Sequence, residues 1–141
     1  MKISVVYKTK TGHSKKIANA IAENLQIQAE DIKTNPKLNQ VDLLFIVGGI
    51  YGGQSLPELI SYVNNLDSTM VKKVALITSS AGKTVKQASI RDILVENNIE
   101  VLEEEFVCQG SFLVVGFRHP NKADIDGAIA YAKEVAENRI R

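Results

Sequence analysis

The stretch that most constrains the fold is Leu43-Leu44-Phe45-Ile46-Val47, five apolar residues in a row, followed at once by Gly48-Gly49. A strand with one wet face alternates apolar and polar side chains, whereas a strand covered on both faces reads as a continuous apolar run. Such doubly covered strands belong to parallel sheets flanked by helices. Two similar runs occur, Ile3-Ser4-Val5-Val6-Tyr7 and Val74-Ala75-Leu76-Ile77. Each of the three is followed by a polar or glycine-bearing loop and then by apolar residues at helical spacing. These are Ile17, Ala18, Ile21, Ala22 and Leu25 after the first, Leu56, Leu59, Ile60 and Val63 after the second, and Val85, Ala88, Ile93 and Leu94 after the third. Strand, loop and helix in repeated order predict right-handed crossovers and helices on both faces of one sheet. The expected class is α/β, a three-layer doubly wound parallel five-stranded sheet.

The remaining elements are fainter. Ile27 to Lys33 reads as a short strand before the turn at Asn35-Pro36, and Gly48 to Gly53 reads as a break after the central strand. Ser55-Leu56-Pro57-Glu58 and Thr84-x-x-Gln87 have the pattern of capping boxes, with the third helix expected to reach Asn97-Asn98. Strand-like segments at Ile99 to Leu102 and Phe106 to Cys108 are separated by Glu103-Glu104-Glu105, an acidic run expected to be solvated at a sheet edge. Asn121 is placed to cap a last helix whose apolar stripe is Ile125, Ala128, Ile129, Ala132, Val135 and Ala136.

A chain of 141 residues suits one domain, residues 1–141, burying roughly two-thirds of the surface of its unfolded form. Lys and Arg number 17 against 16 Asp and Glu, a net charge of +1 that gives no general attraction to nucleic acid or membranes. The single cysteine, Cys108, cannot form an internal disulfide, and it lacks the flanking basic residues that would activate a thiolate. No stretch is apolar for long enough to suggest a membrane span or signal peptide. A cytoplasmic monomer is expected. His13 and His119 have no Cys or carboxylate at metal-ligand spacing, so no metal is expected, and no catalytic acid, base or nucleophile stands out.

In sheets of this kind ligands bind beyond the carboxyl ends of the strands. The first loop there is Thr9-Lys10-Thr11-Gly12-His13-Ser14. Taken alone, Thr-x-Thr-Gly-x-Ser fits a capped turn as well as it fits an anion site. Its place between the first strand and the first helix favours the anion, because helix N-terminal amides and the macrodipole attract negative charge. Gly12 permits left-handed angles, and the hydroxyls of Thr9, Thr11 and Ser14 add donors. Lys8, Lys10, Lys15 and Lys16 surround the loop. They can form a solvated rim, assist a phosphate or dock an acidic partner.

The loop resembles the phosphate-binding loop of flavodoxins, whose pattern is Ser/Thr-x-Thr-Gly-x-Thr/Ser, and the resemblance extends over nearly the whole chain to the short-chain flavodoxins. It implies strand order 2-1-3-4-5, FMN as cofactor, and one-electron transfer between redox partner proteins, a reductase and an acceptor. It implies a phosphate held by Thr9, Lys10, Thr11, Gly12, His13 and Ser14. The flavin ring would lie among Gly48, Gly49, Ile50, Tyr51, Gly52 and Gly53, and against Ser79, Ser80, Ala81 and Gly82. Tyr51 matches the aromatic on one flavin face and Gly52 the glycine near N5.

The sequence departs from the family in places. The Gly48 to Gly53 segment is about one residue short, Gln54 stands where an acid is frequent, and Ser79 to Lys83 lacks an aromatic for the outer flavin face. The stretch Gln109 to Phe112 could close over the site. Two other α/β readings fail on single positions. Ala81-Gly82-Lys83-Thr84 ends like a P-loop, but Ile77 occupies the place of its first glycine, and a phosphoacceptor receiver needs an aspartate where Gly48-Gly49 stand. Two alternatives share the fold: an FMN-dependent reductase of a small acceptor such as a quinone, and a binding module without cofactor.

Overall fold

The computed structural model describes residues 1–10, 12–51, 54–80, 87–109 and 122–137. The strands are β1 (Ile3–Lys8), β2 (Ala29–Asp31), β3 (Val41–Tyr51), β4 (Gln54–Ser55), β5 (Val71–Ser80), β6 (Glu100–Val101) and β7 (Phe106–Gln109). The helices are α1 (His13–Asn24), α2 (Pro57–Asn64), α3 (Ala88–Glu96) and α4 (Lys122–Ala136). The sheet runs β2-β1-β3-β5 with every junction parallel. The place beyond β5 is shared by two short parallel pieces, β6 beside Lys73 and Val74 and β7 beside Ile77 to Ser80. Counting β6 and β7 as one interrupted strand, this is the expected order 2-1-3-4-5.

The period of two along each strand sorts the core into two layers. Val5, Tyr7, Phe45, Val47, Ala75 and Ile77 pack with α1 and α4, while Val6, Leu44, Ile46, Val74 and Leu76 pack with α2 and α3. Leu44, Phe45 and Ile46 are all fully buried, each burial contributing roughly 1.5 to 3 kcal/mol. That double coverage is the physical reason for the unbroken apolar run. Two helices stop the same way: Ile27 N–H donates to Ala22 O after α1, and Ile99 N–H donates to Leu94 O after α3. The residues between, Gln26 and Asn98, take φ of 60° and 63°, which closes the last turn and buries the following isoleucine edge.

The expected break at Gly48 does not occur. β3 continues through Gly48 and Gly49 to Tyr51, because Lys8 on one side and Thr78 and Ser79 on the other continue the ladder. The capping box at Ser55 does not form. Leu56 and Gln87 are the N-cap residues of α2 and α3, and neither makes a side-chain cap bond. Pro57 starts α2 with its φ already set, and the Gln87 amide is committed to the interior. Thr84 and Asn121 lie outside the described residues, as do Val85 and residues 110–112.

The acidic run is not uniformly solvated either. Glu103 and Glu104 are exposed, but the Glu105 side chain is 3% exposed and meets Arg91 Nη2 at 2.8 Å. Arg91 also donates to Leu102 O at 2.6 Å, so the pair fixes the excursion between β6 and β7. The strand expected from Ile27 to Lys33 is shorter, since Asp31 accepts from Lys33 N–H at 3.0 Å and starts a 3-10 turn over Ile32–Thr34.

Candidate functional site

The carboxyl ends of β1, β3 and β5 stand side by side, with Lys8 in register with Gly48 and Gly48 with Thr78. From β1 the chain turns through Thr9 and Lys10 into α1. The Thr9 hydroxyl oxygen accepts from Gly12 N–H at 2.7 Å, closing the turn from within. Gly12 is the N-cap at φ 92° and ψ −7°, left-handed angles that an L side chain adopts only under strain. Among the described residues a Cβ there would meet nothing within 4 Å. Space is therefore open above the helix start, and it is the backbone angle that calls for glycine.

Ser14 follows on the inward face of α1, in line with Ile17, Ala18 and Ile21. It is fully buried, and its Oγ has no hydrogen-bond partner among the described residues. Buried hydroxyls are normally paired, and leaving one unpaired costs about 1 to 3 kcal/mol. A buried hydroxyl without a described partner in the first turn of a helix, where backbone amides are also unsatisfied, suits a phosphate oxygen. The donor set is right and so is the room.

The charge of the first turn agrees. α1 has no acid there, and Lys15 and Lys16 are exposed, against the usual preference of the macrodipole for carboxylates. Burial holds the His13 pKa below its ordinary 6.5, and the charge on Lys16 lowers it further. Near neutral pH the imidazole is uncharged and offers one N–H donor.

At the end of β3 the two glycines have different surroundings. Register and alternation put Gly49 and Ser79 on the α1 side of the sheet, two residues beyond Val47 and Ile77. Gly48 and Thr78 belong to the α2 and α3 side. There a Cβ on Gly48 would sit 2.7 Å from Leu59 Cδ2 and 3.0 Å from Gln87 Oε1. Ile50 and Tyr51 continue β3 and pair antiparallel with Ser55 and Gln54. Ser80 ends β5.

The fold thus brings Thr9, Lys10, Gly12, His13 and Ser14 to one end of the sheet with Gly48, Gly49, Ile50, Tyr51, Ser79 and Ser80. Thr11, Gly52, Gly53, Ala81 and Gly82 lie outside the described residues, and so does His119. Sequence reasoning missed Gln87, Leu59 and Thr78 as neighbours of the site. A glutamine three residues after a threonine resembles a helix cap, and no local signal distinguishes a cap from a side chain that turns inward. Among the described residues no three His, Cys, Asp or Glu are grouped to hold a metal ion. No described helix is long and apolar enough to cross a membrane.

Known proteins share this fold. The family model described as flavodoxin domain matches residues 4–119. Oxidised flavodoxin 1 from Bacillus cereus superposes with a TM-score of 0.75 at 17% identity, covering 97% of this chain and 98% of that one. A flavodoxin from the domain Archaea gives 0.72 at 17% identity, with 99% of each chain covered. Fusobacterium nucleatum flavodoxin bound to flavin mononucleotide gives 0.69 at 14% identity, again with 99% of each covered. No curated protein sequence matches significantly. At these identities the solved structures establish the fold, and the family model, which spans most of the chain, establishes the lineage: the chain belongs to the flavodoxin-domain family.

Proposed function

We propose that this protein is a single-domain FMN-binding electron carrier that accepts one electron from a reductase and passes it to an acceptor protein, working as a monomer in the cytoplasm. The observation that carries the reading is the start of α1. Gly12 is left-handed with no described atom within 4 Å of a would-be Cβ, and two residues on the buried Ser14 hydroxyl has no partner among the described residues. Thr9, Lys10, Thr11, Gly12, His13 and Ser14 hold the phosphate, and the dianion balances the lysines that the helix dipole disfavours. Gly48, Gly49, Ile50, Tyr51, Gly52 and Gly53 would line one side of the ring, and Ser79, Ser80, Ala81 and Gly82 the other.

Bound FMN supplies the redox chemistry. The chain itself would anchor the phosphate at the start of α1 and orient the ring at the ends of β3 and β5. Fluorescence titration of flavin-free protein with FMN and with riboflavin tests the reading: FMN should bind much more tightly, since only it reaches the cradle. Anaerobic stepwise reduction of the loaded protein should then resolve two separate one-electron steps. Consumption of NAD(P)H by the protein alone would make it a reductase instead, and equal affinity for the two flavins would refute the cradle.

A further inference from the structure

Gln87 is fully buried at the start of α3, nine residues after Thr78. Its Nε2 donates to Ile77 O at 3.0 Å. Its Oε1 has no partner among the described residues and lies 3.0 Å from where a Gly48 Cβ would be. The one amide therefore ties the start of α3 to β5 through Ile77 O, and its oxygen lies in the space beside Gly48 of β3. A side chain at 48 would crowd it, since a Cβ there would sit 2.7 Å from Leu59 Cδ2 and 3.0 Å from Gln87 Oε1.

Gln87 stands at an N-cap position, where Ser, Thr, Asp or Asn would satisfy the helix amides, and it forgoes that bond. A residue that breaks a local rule while making a specific buried contact marks a place where the tertiary structure has a stronger demand. Two more buried hydroxyls without partners among the described residues share this edge. Thr78 is in register with Gly48, and Ser55 is in β4, against which α3 packs. This polar cluster lies on the face of the sheet away from Ser14. It is separate from the phosphate cradle.

We infer that Gln87 is a positioning residue: its amide ties the start of α3 to the carboxyl end of β5, in the space that Gly48 of β3 leaves, and so holds that end of the sheet in place beside the site where a flavin ring would lie. The second half rests on the FMN reading. The first half does not, because the bond to Ile77 O and the seat on Gly48 are properties of the flavin-free chain. The inference requires the amide itself and not merely its volume. A glutamine has a donor for Ile77 O, whereas methionine of the same length has none.

The test uses the full-length protein as Gln87→Met and Gln87→Glu. In flavin-free Gln87→Met, hydrogen exchange should show protection of the amides of residues 48–51 and 77–80 falling about tenfold, the equivalent of one lost buried hydrogen bond. Val5, Val6 and Ile21 should be unchanged. In Gln87→Glu the new carboxyl donates to Ile77 O only when protonated, so protection should be restored on acidification within one protein. That second variant decides the matter even if Gln87→Met fails to fold. Unchanged protection in the first, or no pH dependence in the second, would overturn the inference whether or not flavin binds. For the ring site, Gln87→Met should weaken FMN and riboflavin by the same factor, about tenfold by the same equivalence, leaving their ratio intact. A loss confined to FMN would assign Gln87 to the phosphate and sink the positioning role. If the unaltered protein binds neither flavin, the FMN reading fails while the exchange data still judge the lock.

Discussion

The starts of α1 and α3 stand at the same edge of one parallel sheet, and one is open while the other is sealed. At α1 the cap is a left-handed glycine with no described atom within 4 Å of a would-be Cβ, and the buried Ser14 hydroxyl has no described partner. At α3 the cap is Gln87, whose side chain turns down into the sheet to reach Ile77 O. Neither helix has a side-chain cap bond. The difference teaches that a helix N-terminus does not make an anion site by itself. The site needs a backbone angle that clears the space and a donor left over once the fold is complete.

The same contrast separates two glycines. Gly12 is glycine because of its φ, and Gly48 is glycine because of its neighbours. Substitution should therefore fail for different reasons at the two positions, and the largest effect should come at Gly48. Gly48→Val introduces a branched side chain where even a Cβ meets Leu59 at 2.7 Å, an overpacking that should cost about 2 to 3 kcal/mol in chemical denaturation. Valine in an uncrowded central strand would stabilise it, so equal or greater stability would break the contrast.

At Gly12 there is room but no permitted angle. Gly12→Val should cost about 1 to 2 kcal/mol of stability from left-handed strain, and should abolish or severely weaken FMN binding by filling the phosphate space. Gly12→Asn sharpens the point, because asparagine tolerates such angles and should recover most of the stability without recovering the affinity. Recovery of both would move the phosphate elsewhere.

A smaller effect with two signs is expected at Ser14. Removing an unpartnered buried hydroxyl relieves a desolvation penalty, so Ser14→Ala should leave the flavin-free protein as stable as before or more so by up to about 1 kcal/mol. FMN affinity should fall by about 0.5 to 1.5 kcal/mol, the net worth of one hydrogen bond. Paired thermal denaturation and fluorescence titration measure the two. A variant that loses stability and keeps its affinity would show the hydroxyl to be structural.

The smallest expected effect is a pH dependence at His13. Burial, helped by Lys16, puts its folded pKa below the ordinary 6.5. Between those two values the unfolded chain binds more protons than the folded one, so stability should fall as pH drops through that window and level off below the folded pKa. His13→Gln should remove this component from a pH series of flavin-free melts. A steeper loss in the variant would reverse the sign and place a stabilised imidazolium at the cradle.

Much of this was legible in the chain alone, and the limits have physical causes. Continuous apolar runs at Leu43–Val47 and Val74–Ile77 dictated doubly covered strands, because no other arrangement hides both faces. Helical spacing after each loop then left one class of architecture. The turn proposed as the cradle was readable as a local motif, since Thr9, Gly12 and Ser14 belong to a short turn whose geometry depends on residues within six positions of one another. Resemblance, and not periodicity, gave the strand order.

What the sequence could not decide is where a side chain turns when two local uses compete. Gln87 fits a capping box by spacing and is drawn inward by Ile77 O, a group ten residues away that only the folded sheet presents. Glu105 reads as part of a solvated acidic run and is buried because Arg91 of α3 arrives beside it. Gly48 reads as a strand breaker and is held in β3 by ladders on both sides, its missing side chain filled by Leu59 and Gln87. Periodicity records how a segment divides between water and core, whereas these three placements depend on partners brought together from distant parts of the chain, and that meeting exists only in the tertiary structure.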